Sequence, residues 1–341
     1  MATFQYNMTH RCNLNCPFCY SYKNNDTMDD EIIRLATDFV INRINLRPLD
    51  ETHLVSFSGG EVFLGKYKNI PSIIGQIKYA CPDRKIEFSI QSNLTTKLIE
   101  DYDECKEVVN TVDFVGTSYD IGTGRFSNAA DFGNFINNIK YLQKINKPTE
   151  LIVCITKQLI EARPYPKQFL LSLVCNGFNK IELERLSKPL EKRPAYDNWE
   201  VRAKNQDIRD WLYLAYVGYK ELQKDYPQLS IETFNCMEDA VKGIHRYEYG
   251  RNCQKDIYTI LPNGKVGQCF INIDKPFYDL RTKELNIDNY NEVCAREDNV
   301  SQQCKNCKYY EYCRGGCCCM EWDDTGCPTP FKIFDLITER K

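Results

Sequence analysis

Short apolar runs alternate with amphipathic stretches through the first half of the chain. Six of the runs read as strands: Phe4–Met8, Leu54–Phe57, Ile86–Gln91, Phe114–Ser118, Leu151–Ile155 and Ile181–Leu183. Between them the period lengthens to that of a helix. Ile32, Ile33, Ala36, Phe39, Val40 and Ile44 fall on one stripe, with Thr27 and Asp30 ahead of it as a capping box. Strand–helix alternation of this kind predicts an α/β fold with a parallel sheet and right-handed crossovers. In such a fold the loops after the C-terminal ends of the strands carry the chemistry. Farther on, Trp199, Val201, Ile208, Trp211, Leu212, Ala215, Tyr216, Tyr219 and Leu222 predict one long amphipathic helix packed on the sheet. From residue 253 the periodicity fades and turns dominate. Asn263-Gly264, between Ile260-Leu261 and Val266, reads as a β-hairpin turn that brings Cys253 and Cys269 together. The pattern thus divides the chain into an α/β region (1–186), a helical bridge (187–252) and a turn-rich C-terminal region (253–341).

Composition narrows the class. At 341 residues, 43% hydrophobic and 27% charged, the chain reads as a soluble globular protein. No apolar run approaches a membrane span and the first residues lack a signal-peptide core, so a cytoplasmic protein without a membrane partner is expected. A net charge of −3 gives no general attraction to nucleic acid. The cysteines change the picture more: there are 18, and in a reducing compartment they read as metal ligands instead of disulfides. Cys81, Cys105, Cys154, Cys175 and Cys236 are scattered singly and read as small buried residues. The others that matter here fall into two groups near the ends.

The first group is Cys12-Asn-Leu-Asn-Cys16-Pro-Phe-Cys19, directly after the first strand. Three soft thiolates on one tight loop suit three irons of a cubane [4Fe–4S] cluster and leave the fourth iron open to a small molecule. A structural zinc site wants four protein ligands. With Phe18 as the aromatic, the pattern CxxxCxΦC resembles the signature of the radical S-adenosylmethionine (radical SAM) superfamily. The resemblance implies a partial (β/α)6 barrel, SAM bound at the open iron, a 5′-deoxyadenosyl radical, and a low-potential electron donor such as flavodoxin or ferredoxin. After the second strand comes Ser58-Gly59-Gly60-Glu61, where two glycines permit close backbone approach and the carboxylate suits an ammonium group. It looks like the family's motif for the SAM amino group. Gln91 and Asn93 at the end of strand three are similar to family contacts with the cofactor. At the end of strand four, Ser118 is placed for the methionine carboxylate or ribose, and Asp120 for a structural or substrate contact. Asp120 and Arg185 are the candidate catalytic residues. Glu184 and Arg185 end strand six, where the readings are a face of the substrate cavity or solvated loop charges.

The second group runs Cys253, Cys269, Cys304-x2-Cys307-x5-Cys313-x3-Cys317 and Cys327. CxxC knuckles alone also describe a structural zinc module. The series resembles the SPASM extension of radical SAM enzymes, which implies two auxiliary iron–sulfur clusters, taken as [4Fe–4S]. Carried over by position, Cys304, Cys307, Cys313 and Cys327 hold the outer cluster. Cys253, Cys269 and Cys317 hold the inner one. Many relatives have a further cysteine shortly after the first, and residues 254–268 contain none. Cys294, Cys318 or Cys319 could complete the inner set, or an iron could stay open for substrate sulfur. Tyr309, Tyr310 and Tyr312 lie between the ligands and are expected to shield the outer cluster.

SPASM enzymes do not share one reaction. A peptide maturase that forms a thioether or carbon–carbon crosslink in a ribosomally made precursor is the first reading. The second is sulfatase maturation, oxidation of Cys or Ser to formylglycine. The third is a non-catalytic iron–sulfur or zinc protein, acting as sensor or electron carrier. In sulfatase maturases an aspartate, the proposed base, directly follows the second SPASM cysteine. Here Phe270 follows Cys269 and cannot accept a proton, and the nearest acid downstream is Asp274. Crosslinking is therefore the expectation. With Cys12 so near the start, the peptide is expected to bind on the bridge and C-terminal regions or to come with a separate leader-peptide-binding protein.

Overall fold

The structure, a computed structural model, describes residues 1–21, 23–96, 102–126, 128–187, 201–246, 249–250 and 253–339. Six strands lie parallel in sequence order: β1 (Ala2–Thr9), β2 (Thr52–Gly59), β3 (Lys85–Gln91), β4 (Phe114–Ser118), β5 (Thr149–Ile155) and β6 (Lys180–Arg185). Between them run α1 (Asp30–Asn45), α2 (Ile70–Ala80), α3 (Asp103–Thr111), α4 (Ala129–Lys144), and the pair α5 (Lys157–Ala162) and α6 (Pro166–Cys175). Each strand expected from the apolar runs is present, several of them longer than the run itself. The chain goes on through α7 (Asn205–Asp225), β7 (Ser230–Ile231), α8 (Glu232–Val241), β8 (Ile257–Ile260), β9 (Lys265–Gly267), β10 (Tyr278–Asp279), α9 (Ile287–Asp298) and α10 (Lys332–Thr338). The strand order is β10-β9-β8-β1-β2-β3-β4-β5-β6-β7.

Alternation along the strands gives the sheet two unlike faces. Phe4, Val55 and Phe88 stand in one register row and Tyr6, Phe57 and Ile90 in the next, all buried in the main core. The residues between them are polar: Gln5, Ser56 and Ser89 share a row, and Gln91, Gly116, Glu150 and Lys180 another. Because all six strands run the same way, their C-terminal ends share one edge. The cysteine loop, Gly59-Gly60-Glu61, Ser92-Asn93, Ser118 to Asp120, and Arg185 all meet there.

Two local expectations are corrected. The N-cap of α1 is Asp29, whose side chain accepts from the Ile32 N–H at 2.7 Å. Thr27 instead bridges to Thr9, their hydroxyls 2.8 Å apart, which ties the cysteine loop's exit to its entry. The long helix begins at Asn205, so Val201 precedes it, and Trp199 lies outside the described residues. The expected stripe is otherwise present, with Ile208, Trp211, Leu212, Ala215, Tyr216, Tyr219 and Leu222 buried.

The hairpin at Asn263-Gly264 forms as antiparallel β8–β9, with Gly264 at φ +83°. Strand β8 also pairs with β1 in parallel, so the cysteine-rich region continues the main sheet. At the other side α7 clamps the loop that carries Cys327. Arg209 donates to the carbonyl oxygens of Cys327 and Thr325, and Asn205 donates to those of Glu321 and Gly326. Among the described residues no helix is long and apolar enough to cross a membrane.

Candidate active site

The cysteine loop is folded on itself and braced from two sides. The Cys19 N–H donates to the Cys16 carbonyl at 3.2 Å, and the Leu14 N–H lies 3.4 Å from Cys12 Sγ. Asn93 donates to Asn13 Oδ1 at 2.8 Å with the same Nδ2 that lies 3.9 Å from Cys12 Sγ. Asn13 in turn donates to Thr95 at 2.8 Å. Burial pushes the Cys12 thiol up, and the Cys16 thiol up to about 11. Such thiols hold their protons until a metal displaces them.

The glycines are required by this packing. The N–H groups of Gly60 and Glu61 donate to the Thr9 and Arg11 carbonyls, both at 2.7 Å. A Cβ on Gly59 would sit 2.2 Å from the Thr9 oxygen, and one on Gly60 2.3 Å from the Arg11 oxygen. Only residues without a side chain let β2's end lie against the loop entry. Glu61 is 0% exposed and accepts from Ser92 Oγ at 2.8 Å, Asn93 N at 2.7 Å and Phe63 N at 3.2 Å. Burial raises its pKa, opposed by the Asn93 and Ser92 donors. The carboxylate therefore locks β3's end to the loop after β2, and Oε2, with a single donor from these residues, keeps acceptor capacity for a ligand cation.

Asp120 is buried at the end of β4. It accepts from the Cys154 N–H at 3.1 Å and from Arg125 Nη1 at 3.0 Å. That same Nη1 is 3.8 Å from Cys16 Sγ. Arg125 was not singled out by the sequence; a Gly-Thr-Gly-Arg turn after strand four was its only signal. Burial works against its charge, but Asp120 and the neighbouring thiols raise its pKa on balance. Its Nε is buried with no hydrogen-bond partner among the described residues, a donor left for an anion.

Ser118 is half-buried on the polar sheet face, in register with Ile152, and Phe18 is half-buried in the loop. Gln91 lies over Gly116, where a Cβ would stand 2.0 Å from its Oε1. Arg185 departs from both readings given to it. It is 6% exposed, shares the face of Ile181 and Leu183, and donates to the Pro328 carbonyl at 2.7 Å. It joins β6 to the C-terminal region and is not a solvated charge. Glu184 is on the opposite, polar face, in register with Cys154, and both are close enough to Tyr20 for their charges to act on its phenol. Tyr20 packs against Phe270 with the rings tilted and 5.1 Å apart, so the first cysteine loop touches the segment after Cys269.

The C-terminal thiols gather in two places. Cys269 and Cys319 share a small buried cluster with Ile271, against which Phe270, Cys317 and Cys318 pack. Burial raises the Cys253 pKa, and the charges of Cys269 and Cys317 raise it further. Near Cys327 the charges of Cys304 and Cys307 are felt, and Cys313 Sγ is 3.5 Å from Thr329 Oγ1. Tyr309 stacks on Phe331 at 5.2 Å and donates to Asp335 at 2.6 Å, while Tyr312 packs on Phe334. These two rings fasten the cysteine segment to α10. Among the described residues no three His, Cys, Asp or Glu side chains enclose a single metal ion. Thiolates on separate corners of a cubane stand farther apart than the ligands of one ion, and the donor set is all sulfur, so the residues fit iron–sulfur clusters.

Residues 6–163 match the radical SAM superfamily. Over 333 residues the chain is 22% identical to a cysteine-type anaerobic sulfatase-maturating enzyme of Clostridium perfringens, covering 90% of this chain and 85% of that one. It is 28% identical over 197 residues to the uncharacterized protein MJ0907 of Methanocaldococcus jannaschii, covering 54% of this chain and 62% of that protein. In fold it resembles native anSMEcpe with bound AdoMet and Cp18Cys peptide, at TM-score 0.78 and 16% identity, covering 99% of each chain. Native anSMEcpe with bound AdoMet gives TM-score 0.77 at 16% identity, covering 99% of this chain and 100% of that one. With the cysteine loop, the glycine approach and the buried acid in place at the sheet edge, residues 6–163 form a radical SAM enzyme domain, and the chain as a whole is similar to the anaerobic sulfatase maturases.

Proposed function

We propose that this enzyme modifies a peptide side chain by hydrogen-atom abstraction and joins two of its residues in a crosslink. Cys12, Cys16 and Cys19 would hold the cluster, whose electron would cleave bound SAM to methionine and the 5′-deoxyadenosyl radical that abstracts the substrate hydrogen atom. The protein's share is to hold, orient and shield these groups. Glu61 Oε2 suits an ammonium group, and the Arg125 guanidinium suits a carboxylate. The sheet's polar face, with Ser118, Cys154 and Glu184 toward its C-terminal edge, is the side on which the peptide would lie. Cys304, Cys307, Cys313 and Cys327 suit an outer auxiliary cluster, and Cys253, Cys269 and Cys317 an inner one.

The observation that carries the crosslink reading is the tilted Tyr20–Phe270 ring contact. It places an apolar ring, and not a carboxylate, directly after Cys269. Formylglycine formation is the second reading, favoured by the similarity to sulfatase-maturating enzymes along 85% of their length. Peptide substrates are carried over from those relatives, whose solved structure includes a bound peptide.

Anaerobically reconstituted protein with a low-potential reductant should cleave SAM to 5′-deoxyadenosine. Replacing Cys12, Cys16 and Cys19 by Ala should abolish this while leaving the other clusters in place. Undiminished cleavage in the triple variant would remove the basis of the reading.

A further inference from the structure

The inner set of thiols has three members by position and three neighbours to choose from. Cys294 is engaged elsewhere: its Sγ lies 3.5 Å from Gln268 Nε2 and it is hydrogen-bonded to Tyr290 on its own helix. Cys318 and Cys319 are adjacent in the chain, with sulfurs 4.0 Å apart, and neighbouring residues rarely reach two corners of one cubane. At most one of the two is therefore a ligand.

Two observations separate them, and a third marks Cys317 as a ligand. Cys319 is 2% exposed and shares its buried cluster with Cys269, from the far side of the hairpin. Cys318 is half-buried and lies within reach of the charges of Arg296 and Glu297 on α9. The third is the turn itself. The Cys319 N–H lies 3.4 Å from Cys317 Sγ, two residues back. The Leu14 N–H stands in the same relation to Cys12 Sγ at 3.4 Å. An N–H aimed at a sulfur two residues earlier stabilises a thiolate, so Cys317 is dressed as a ligand in the same way as Cys12.

We propose that Cys319 supplies the fourth thiolate of the inner cluster, together with Cys253, Cys269 and Cys317. The inference rests on the reading of the C-terminal cysteines as iron–sulfur ligands. It takes the place of the cysteine missing from residues 254–268. It also decides the role of that cluster. With four thiolates no iron is left for substrate sulfur, and the cluster serves as a one-electron acceptor. The crosslink then balances as one hydrogen atom to the 5′-deoxyadenosyl radical, one electron to the iron–sulfur acceptor and one proton to solvent or a nearby base.

The test needs no peptide. Full-length protein with Cys12, Cys16 and Cys19 changed to Ala, reconstituted with iron and sulfide, should carry the auxiliary clusters alone. Mild oxidation strips the iron that lacks a thiolate and leaves a three-iron cluster visible by electron paramagnetic resonance. The parent should give no such signal. Adding Cys319→Ala should raise it toward about one per chain, or lose the inner cluster's iron altogether, about half of the total. Adding Cys318→Ala or Cys294→Ala should match the parent, and Cys319→Ser should retain the iron through its oxygen. A three-iron signal in the parent means an open iron and overturns the proposal, as does a signal that follows Cys318→Ala or Cys294→Ala. An unchanged cluster in Cys319→Ala overturns it as well. If Cys319→Ala does not fold, the parent and the other two variants still decide. A parent that binds zinc and no iron would instead remove the iron–sulfur reading on which the inference stands.

Discussion

Arg125 donates to Asp120 at 3.0 Å, and the pair sits beside Cys16 with both side chains nearly excluded from solvent. The pair joins three parts of the site. Asp120 belongs to the end of β4, holds the backbone of β5 at Cys154, and aims Arg125 at the cysteine loop. Neither charge is stable there alone, because a buried ion without its partner carries an uncompensated desolvation cost.

Asp120→Ala should destabilise the protein by about 3–5 kcal/mol, the range for breaking one partner out of a buried pair. Urea unfolding of the iron-free protein measures this. In the loaded protein Arg125→Ala should weaken SAM binding by at least tenfold, because it removes the unpartnered buried Nε. Isothermal titration with SAM checks the second outcome, and unchanged affinity would show that Arg125 serves packing alone.

Gly60→Ala should displace the entry of the cysteine loop, since its Cβ meets the Arg11 carbonyl at 2.3 Å and backbone cannot step aside cheaply. The expected result is loss of the SAM-binding cluster with retention of the auxiliary ones. With three cubanes per chain, iron should fall from about twelve to about eight. Full iron and full SAM cleavage in the variant would show that the loop tolerates the shift.

The strands were legible because they are written in local spacing. Period-two apolar runs located β1 to β6, and the residues after them fell at the shared edge by topology alone. Arg125 was not legible, because its role depends on Asp120 and Cys16, which meet only when β4 and the first loop are folded together. Arg185 was misread for a related reason. A charge at a strand end looks solvated in sequence, yet the strand's alternation puts it on the face of Ile181 and Leu183, against Pro328. The α1 cap slipped from Thr27 to Asp29 because Thr27 is drawn to Thr9 by a pairing between distant segments.

Burial holds the Cys16 thiol near pH 11, against an ordinary value of 9.0. The neutral thiol is the form the iron-free fold favours. Its contribution is therefore complete below pH 9 and is lost as pH rises from 9 to about 11. The loss amounts to about 2–3 kcal/mol from a shift of this size. Urea unfolding of the iron-free protein across that window should show the decline, and Cys16→Ser should make it shallower, the other buried thiols keeping their share. The iron-loaded protein should lack it, because the ligand is already a thiolate. The same decline in Cys16→Ser would assign it to another group.

Phe270 decides between the two peptide reactions. Oxidation of a substrate Cys or Ser to an aldehyde needs a base near the reacting carbon, and the residue after Cys269 is an apolar ring packed against Tyr20. Asp274 lies beyond the short helical turn Phe270–Asn272, so reaching the same point would require a different backbone path. Radical formation does not depend on that base, so 5′-deoxyadenosine should still form. A cysteine-containing sulfatase peptide given to the wild-type enzyme should yield no aldehyde. A cognate precursor should lose two hydrogens and keep its sulfur, both read from intact mass. Phe270→Asp restores a carboxylate to the position and should allow a measurable fraction of the sulfatase peptide to be converted. Aldehyde formation by the unmodified enzyme would overturn the crosslink assignment and place this protein's chemistry with that of its sulfatase-maturing relatives.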